Sequence, residues 1–176
     1  EDPTGHANFY TISEFITNPM CAVDQHGLVS CSGSPSLSLL GQYKGVAVGA
    51  RHVCGLAFDG TIHCSGDGEY GQTNAPSGIF DVISSGHNYG CAIDQEGQIV
   101  CWGDNQYGQH LAPKGEFIDL STGPTHACAV DVHGAVHCWG EAVYNRSVCD
   151  VDGQCWRDSG FETLFAPEEE FVKIDT

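Results

Sequence analysis

The chain has 176 residues, with 23 Asp and Glu against 6 Lys and Arg, a formal net charge of −17, and ten cysteines. So negative a surface repels phosphate backbones, which proteins bind by displacing counterions with Lys and Arg, and this excludes nucleic acid as a partner. No stretch approaches the roughly 18 consecutive apolar residues of a membrane span, and cysteines in regular pairs belong to an oxidising compartment, extracellular, periplasmic or lumenal. The charge itself reads as solubility in such a medium, with a basic partner surface or a divalent cation as the other readings.

Residues 1–7 are polar, contain Pro3 and Gly5, and read as a frayed lead-in. Phe9 to Ile16 is rich in β-formers and is expected to open a first repeat, after which one unit recurs four times. In each copy two cysteines stand ten positions apart: Cys21 and Cys31, Cys54 and Cys64, Cys91 and Cys101, Cys128 and Cys138. A glycine follows six positions after each first cysteine, at Gly27, Gly60, Gly97 and Gly134, and an aromatic stands eleven before it, at Tyr10, Tyr43, Phe80 and Phe117. Successive first cysteines are separated by 33, 37 and 37 positions. A constant period in this range marks a repeat architecture such as a solenoid or propeller.

The spacing predicts a hairpin. With Cys91 opposite Cys101, Ala92 faces Val100, Ile93 faces Ile99 and Asp94 faces Gln98, leaving Gln95, Glu96 and Gly97 as a three-residue loop. Gly97 then falls where such a loop needs positive φ. A disulfide across the two strands closes the ladder from its open end. Zinc is a poor alternative, because its cysteine ligands are normally separated by two to four residues.

The second and third repeats continue as Gly66-Asp-Gly-Glu-Tyr-Gly-Gln72 and Gly103-Asp-Asn-Gln-Tyr-Gly-Gln109, turn-rich links that pass through Pro76 and Pro113. The first repeat is the least regular, with Ile16 where its siblings carry Gly49, Gly86 and Gly123 and with Pro19 near Cys21. Atypical end copies are expected of repeat arrays. The fourth departs after Gly140, where an insertion carries a fifth pair, Cys149 and Cys155, expected to pin a surface turn. Glu168 to Glu170 reads as a solvated loop, and residues 171–176 resemble the opening strand of a further repeat.

Glycine and proline punctuate the chain too often for long helices, and apolar positions alternate with period two, so the expected class is all-β with about three strands per repeat. The expected organisation is one repeat domain over residues 1–176, with repeats at about 9–42, 43–79, 80–116 and 117–170 and a closing strand at 171–176. A lone last strand needs a mate. Closure within the chain as a four-bladed ring, completion of an arc by a second chain in a homodimer, and completion by sequence beyond this chain all supply one.

These residues resemble the regulator of chromosome condensation repeat family. The match lies in Gly49-Ala-Arg-His52-Val-Cys54 with Asp59-Gly60 and Tyr70-Gly71-Gln72, in Gly86, Cys91, Gly97, Trp102-Gly103-Asp-Asn105 and Tyr107-Gly108-Gln109, and in Gly123-Pro-Thr-His126-Ala-Cys128, Gly134 and Trp139-Gly140. The resemblance implies a β-propeller, although members commonly have seven blades and this chain has four repeats. The nuclear founder's role as a nucleotide-exchange factor suits neither the charge nor the cysteines. Disulfide-bearing secreted relatives and plant receptor ectodomains are nearer in kind, and they act by offering loops to another molecule. The resemblance also implies that His52 and His126 are packed histidines bonded to a neighbouring blade's backbone.

The expected function is that of a secreted recognition module presenting propeller loops to a protein or other macromolecule. An enzyme or enzyme inhibitor with an axial pocket, and a calcium-dependent adhesion or structural module, are the alternatives. No Ser/His/Asp order, phosphate loop or carboxylate pair stands out, which counts against an enzyme without deciding the matter. Candidate contact residues are Trp156, in the irregular insertion, and Tyr70, Tyr107, Trp102 and Trp139, which as repeat residues serve equally well as core. Asp150, Asp152 and Asp158 form a partial calcium pattern, more simply read as a solvated turn. Asn145 heads a glycosylation sequon, usable by a eukaryotic secretory pathway. His63 and His137 read as strand surface, and His26 and His133 as exposed loop residues.

Overall fold

A computed structural model describes residues 9–14, 20–32, 37–140, 147–149 and 155–157, with side chains for 20–32 and 37–140. Fourteen strands are found there, and no helix among the described residues. Four three-stranded antiparallel sheets follow one another: β1 (Phe9–Glu14), β2 (Met20–Asp24) and β3 (Val29–Ser32); β4 (Tyr43–Val48), β5 (His52–Ala57) and β6 (Ile62–Gly66); β7 (Phe80–Ser85), β8 (Tyr89–Asp94) and β9 (Ile99–Gly103); β10 (Phe117–Thr122), β11 (His126–Asp131) and β12 (Val136–Gly140). A two-stranded hairpin, β13 (Ser147–Cys149) with β14 (Cys155–Arg157), comes from the insertion and sets Cys149 opposite Cys155.

The hairpin register is the one that the cysteine spacing predicts. Cys91 faces Cys101, Ala92 faces Val100 and Ile93 faces Ile99. The Asp94 amide donates to the Gln98 carbonyl at 3.0 Å, and Gly97, at φ 75°, donates back to Asp94. The Asp94 carboxylate does further work that the pattern alone did not announce: Oδ1 accepts from the amides of Glu96 and Gln98 and locks the turn. Asp24 and Asp131 repeat this in the first and fourth hairpins. The disulfides Cys21–Cys31, Cys54–Cys64, Cys91–Cys101 and Cys128–Cys138 are all formed.

The turn glycines of the first three hairpins also receive the next repeat. Tyr43, Phe80 and Phe117 donate their amides to the carbonyls of Gly27, Gly60 and Gly97 at 2.8, 2.8 and 2.9 Å. Their rings are buried, and each is followed by a bulge in its strand, between Tyr43 and Gly45, Phe80 and Val82, and Phe117 and Asp119. A bulge at the same place bends and twists each entering strand alike. The strands β1, β4, β7 and β10 therefore pack in succession, and each sheet leans on the one before.

The core lies between the sheets. Cys21 and Val23 pack with Tyr43, Val46, Val48 and Val53; Cys54, Leu56 and Ile62 pack with Phe80, Ala92 and Trp102; Tyr89, Cys91 and Ile93 pack with Phe117, Leu120, Ala127 and Ala129. One face of each of the first three hairpins thus carries a disulfide against the following sheet, which explains why Cys21, Cys54 and Cys91 are wholly buried. The first joint is filled differently. Ser65 stands where the later repeats have Trp102 and Trp139, and Leu37 and Leu39, from the irregular first link, are buried beside it. The expected closing strand at 171–176 lies outside the described residues, as do the side chains of Cys149, Cys155 and Trp156, together with Asn145, Asp150, Asp152 and Asp158.

Candidate interaction surfaces

The stacked sheets have two ends. The hairpin turns at 24–28, 57–61, 94–98 and 131–135 share one; the other carries the loops entering β5, β8 and β11 and the starts of the links that leave β6 and β9. At this link end the Tyr-Gly-Gln motif proves to be a joint. Gln72 and Gln109 are buried, and each side-chain carbonyl accepts the amide of the tyrosine two residues earlier, at 2.8 Å from Tyr70 and 2.9 Å from Tyr107. Their backbone carbonyls receive the indoles of the next repeat: Trp102 Nε1 donates to Gln72 O at 2.9 Å and Trp139 Nε1 to Gln109 O at 2.7 Å. Trp102 is buried with its donor satisfied and Trp139 half-buried with the same bond, which places both in the joints between sheets. Tyr70 and Tyr107 are the reverse, 43% and 45% exposed at equivalent positions of successive links. Their amides hold the joint while their rings face outward.

The loops beside them are built around close approach. A Cβ on Gly49 would lie 2.1 Å from the His52 ring and one on Gly86 2.1 Å from the Tyr89 ring, so only glycine lets a ring fold back over its own loop. Tyr89 uses that space to donate its hydroxyl to the carbonyls of Gly123, at 3.0 Å, and of His126, both in the next repeat. It is the residue that bonds a neighbouring blade's backbone in the way expected of His52. His52 itself is fully buried, and neither ring nitrogen has a hydrogen-bond partner. Burial lowers its pKa to about 4, with His87 pushing the same way and Asp67 opposing. Backbone bonds join the loops laterally, from Ala50 N to His87 O at 3.1 Å and from His87 N to Pro124 O at 3.4 Å. Tyr89 was overlooked because it is not a histidine, although its place two residues before Cys91 matches His52 and His126 in register.

His63 and His137 lie on strands, and His26 and His133 in hairpin turns. His137 Nε2 stands 2.9 Å from Asp131 Oδ2, and its ring meets Phe117 edge-on at 5.6 Å. This bond, reinforced by the amides of Ala135 and His133, holds the Asp131 carboxyl below the usual range. His63 touches Thr61 Oγ1 at 3.2 Å, and His26 and His133 are exposed in their turns. Among the described residues no three His, Cys, Asp or Glu side chains gather as a metal site. Among those residues no helix is long and apolar enough to cross a membrane.

At the hairpin end a cleft of about 330 Å³ opens between the link that enters the third sheet and that sheet's own hairpin, lined by Pro76 to Phe80, Asp94 to Glu96 and Val100. Ile79, one of its lining residues, is 41% exposed.

Stapled three-stranded sheets, leaning on one another around a row of entering strands, define a propeller-like stack. Residues 43–72 and 81–109 match the family model described as regulator of chromosome condensation (RCC1) repeat. The second and third repeats match that model, and the described sheets resemble the RCC1-type all-β, blade-like fold. Among solved structures it resembles the ectodomain of the Arabidopsis thaliana receptor kinase ACR4, at 27% identity and a TM-score of 0.61, covering 73% of this chain and 48% of that one. The ectodomain of the Physcomitrella patens receptor kinase CR4 aligns at 24% identity and a TM-score of 0.63, over 78% of this chain and 43% of that one. Yeast RCC1 (Prp20), solved bound to Kap60, aligns at 17% identity and a TM-score of 0.60, over 91% and 51%. The chain spans about half the length of these structures. No curated protein matches it.

Proposed function

We propose that the protein is a secreted, non-enzymatic recognition module that presents loops of a propeller-like stack to a protein partner. The observation that carries the reading is the repeated exposure of Tyr70 and Tyr107 on links whose backbones are fixed from beneath. A large aromatic held on a rigid turn contributes contact area at little entropic cost, the usual character of an interface anchor. The four disulfides and the likeness to the ACR4 ectodomain support an oxidising, extracellular setting. The acidity of the chain favours a partner with a basic surface.

The test is photo-cross-linking of the oxidised protein to extracellular proteins of the organism that makes it, beside a Tyr70→Ala/Tyr107→Ala variant. One product that the variant loses at least tenfold is expected. Identical products from the two proteins would refute the link end as the contact surface.

A further inference from the structure

The hairpin end differs from the link end in chemistry. Phe58 is 66% exposed at the tip of the second hairpin, and its ring lies over Gly27, where a Cβ would come within 3.0 Å of it. Ile79, 41% exposed, covers Gly60 in the same way. Leu28, next to Gly27, is exposed as well, so apolar groups run from the first hairpin across the second to the mouth of the cleft. Beyond them the cleft's apolar lining, Pro76, Ile79, Phe80 and Val100, meets the acidic turn of Asp94 and Glu96. Glu116 adjoins that turn, because a Cβ on Gly97 would lie 3.3 Å from the Glu116 Cβ.

Carboxylates predominate at this end. Lys44 is taken by Asp81 at 3.7 Å and the exposed Lys114 stands two positions before Glu116, while among the described residues Glu96, Glu116 and Asp59 have no ion-pair partner. The Asp94 carboxylate is held in place by the Glu96 and Gln98 amides through Oδ1. A concave apolar surface beside an excess of carboxylates disfavours a second copy of this chain, whose net charge is −17. It favours an occupant that brings both missing components.

We propose that the cleft between the 76–80 link and the hairpin of the third sheet docks a protein segment in which basic and apolar side chains alternate. The apolar side chains enter against Ile79 and Val100, and an arginine or lysine meets Glu96 and Asp94. This rests on the recognition reading for the class of partner but uses the opposite end of the stack. Loss of contact at Tyr70 and Tyr107 and loss of contact at the cleft are therefore separately readable.

The probe is a fluorescently labelled peptide with a central Arg-Phe-Arg-Leu segment flanked by glycine and serine, followed by anisotropy on the oxidised protein. Companion peptides replace Phe and Leu with serine, or both arginines with glutamate. The expected result is salt-sensitive binding of the first peptide alone, weakened at least tenfold by Ile79→Ser or Glu96→Lys. Glu69→Lys, an equal change of charge at the exposed link end, should leave it unchanged. Equal weakening by Glu96→Lys and Glu69→Lys, equal binding of the serine peptide, or no binding of any peptide would overturn the proposal. All three substitutions are at exposed positions, and matching melting temperatures confirm that the variants are folded.

Discussion

His52 is wholly buried, and its two ring nitrogens lack hydrogen-bond partners, a costly arrangement for a polar ring. At the equivalent place Tyr89 reaches across to Gly123, so the cost at His52 belongs to the residue and not to the site. Its pKa of about 4 lies below the ordinary 6.5, which means that between those values the unfolded chain binds the proton and the folded chain does not. The stability that neutral His52 allows is fully present above about pH 6.5 and drains as pH falls towards 4, by roughly 3 kcal/mol in all. Urea unfolding between pH 4 and 7 should show this slope, and His52→Tyr should remove it relative to the parent. A slope that the substitution leaves unchanged would assign the acid sensitivity elsewhere. At the same scale, Trp102→Phe leaves the Gln72 carbonyl without its buried donor and should cost about 1–3 kcal/mol in the same assay. The paired partner explains why the sequence left Trp102 and Trp139 open between contact and core. The acceptors, Gln72 and Gln109, stand thirty residues earlier, beyond any local pattern.

The hairpins were the most legible elements because everything that fixes them is local. Two cysteines, a glycine of positive φ and alternating β-formers lie within eleven residues, and the register of β8 with β9 follows from their spacing alone. The aspartates that lock the turns were less visible, since in the second hairpin the role passes from position 57, an alanine, to Asp59, which accepts from the Thr61 amide at 3.0 Å. Each staple closes a loop short enough that the chain-entropy estimate is about 3 kcal/mol. Cys91→Ala with Cys101→Ala should therefore lower stability by about that amount, plus a cavity term, because Cys91 is wholly buried between sheets. The same pair of substitutions at Cys128 and Cys138 should cost less, as Cys128 is only half-buried. Equal losses at the two hairpins would show that packing of the staples against the next sheet contributes nothing. The links were the least legible elements: Tyr-Gly-Gln reads from sequence as a turn, whereas its glutamine is a buried joint between sheets.

Across the whole molecule the repeat period foretold the stack, because identical units with one apolar face each must bury it on their neighbours. The order of the sheets, the bulge after each entering aromatic and the hydrogen bond from that aromatic to the preceding turn are consequences of the same repetition. Departures from it were harder to foresee. Leu37 and Leu39 fill the first joint because Ser65 supplies no indole there, a substitution of one packing solution for another that no residue announces by itself. Together the staples' estimated contribution is comparable to a domain's usual margin of about 5–15 kcal/mol. Reduction should accordingly unfold the stack cooperatively, with loss of strand signal in circular dichroism at a temperature where the oxidised protein is stable; a reduced protein that keeps its signal would make the disulfides ornaments of an already sufficient core.

The most direct measurement is disulfide mapping by mass spectrometry after proteolysis without reductant. Blades stapled within themselves require linked peptides joining Cys21 to Cys31, Cys54 to Cys64, Cys91 to Cys101 and Cys128 to Cys138, each pair inside its own repeat. Bonds running between repeats, or alkylated free thiols at those eight positions, would contradict the hairpin register, the stack built on it and the oxidising compartment in which it is proposed to act.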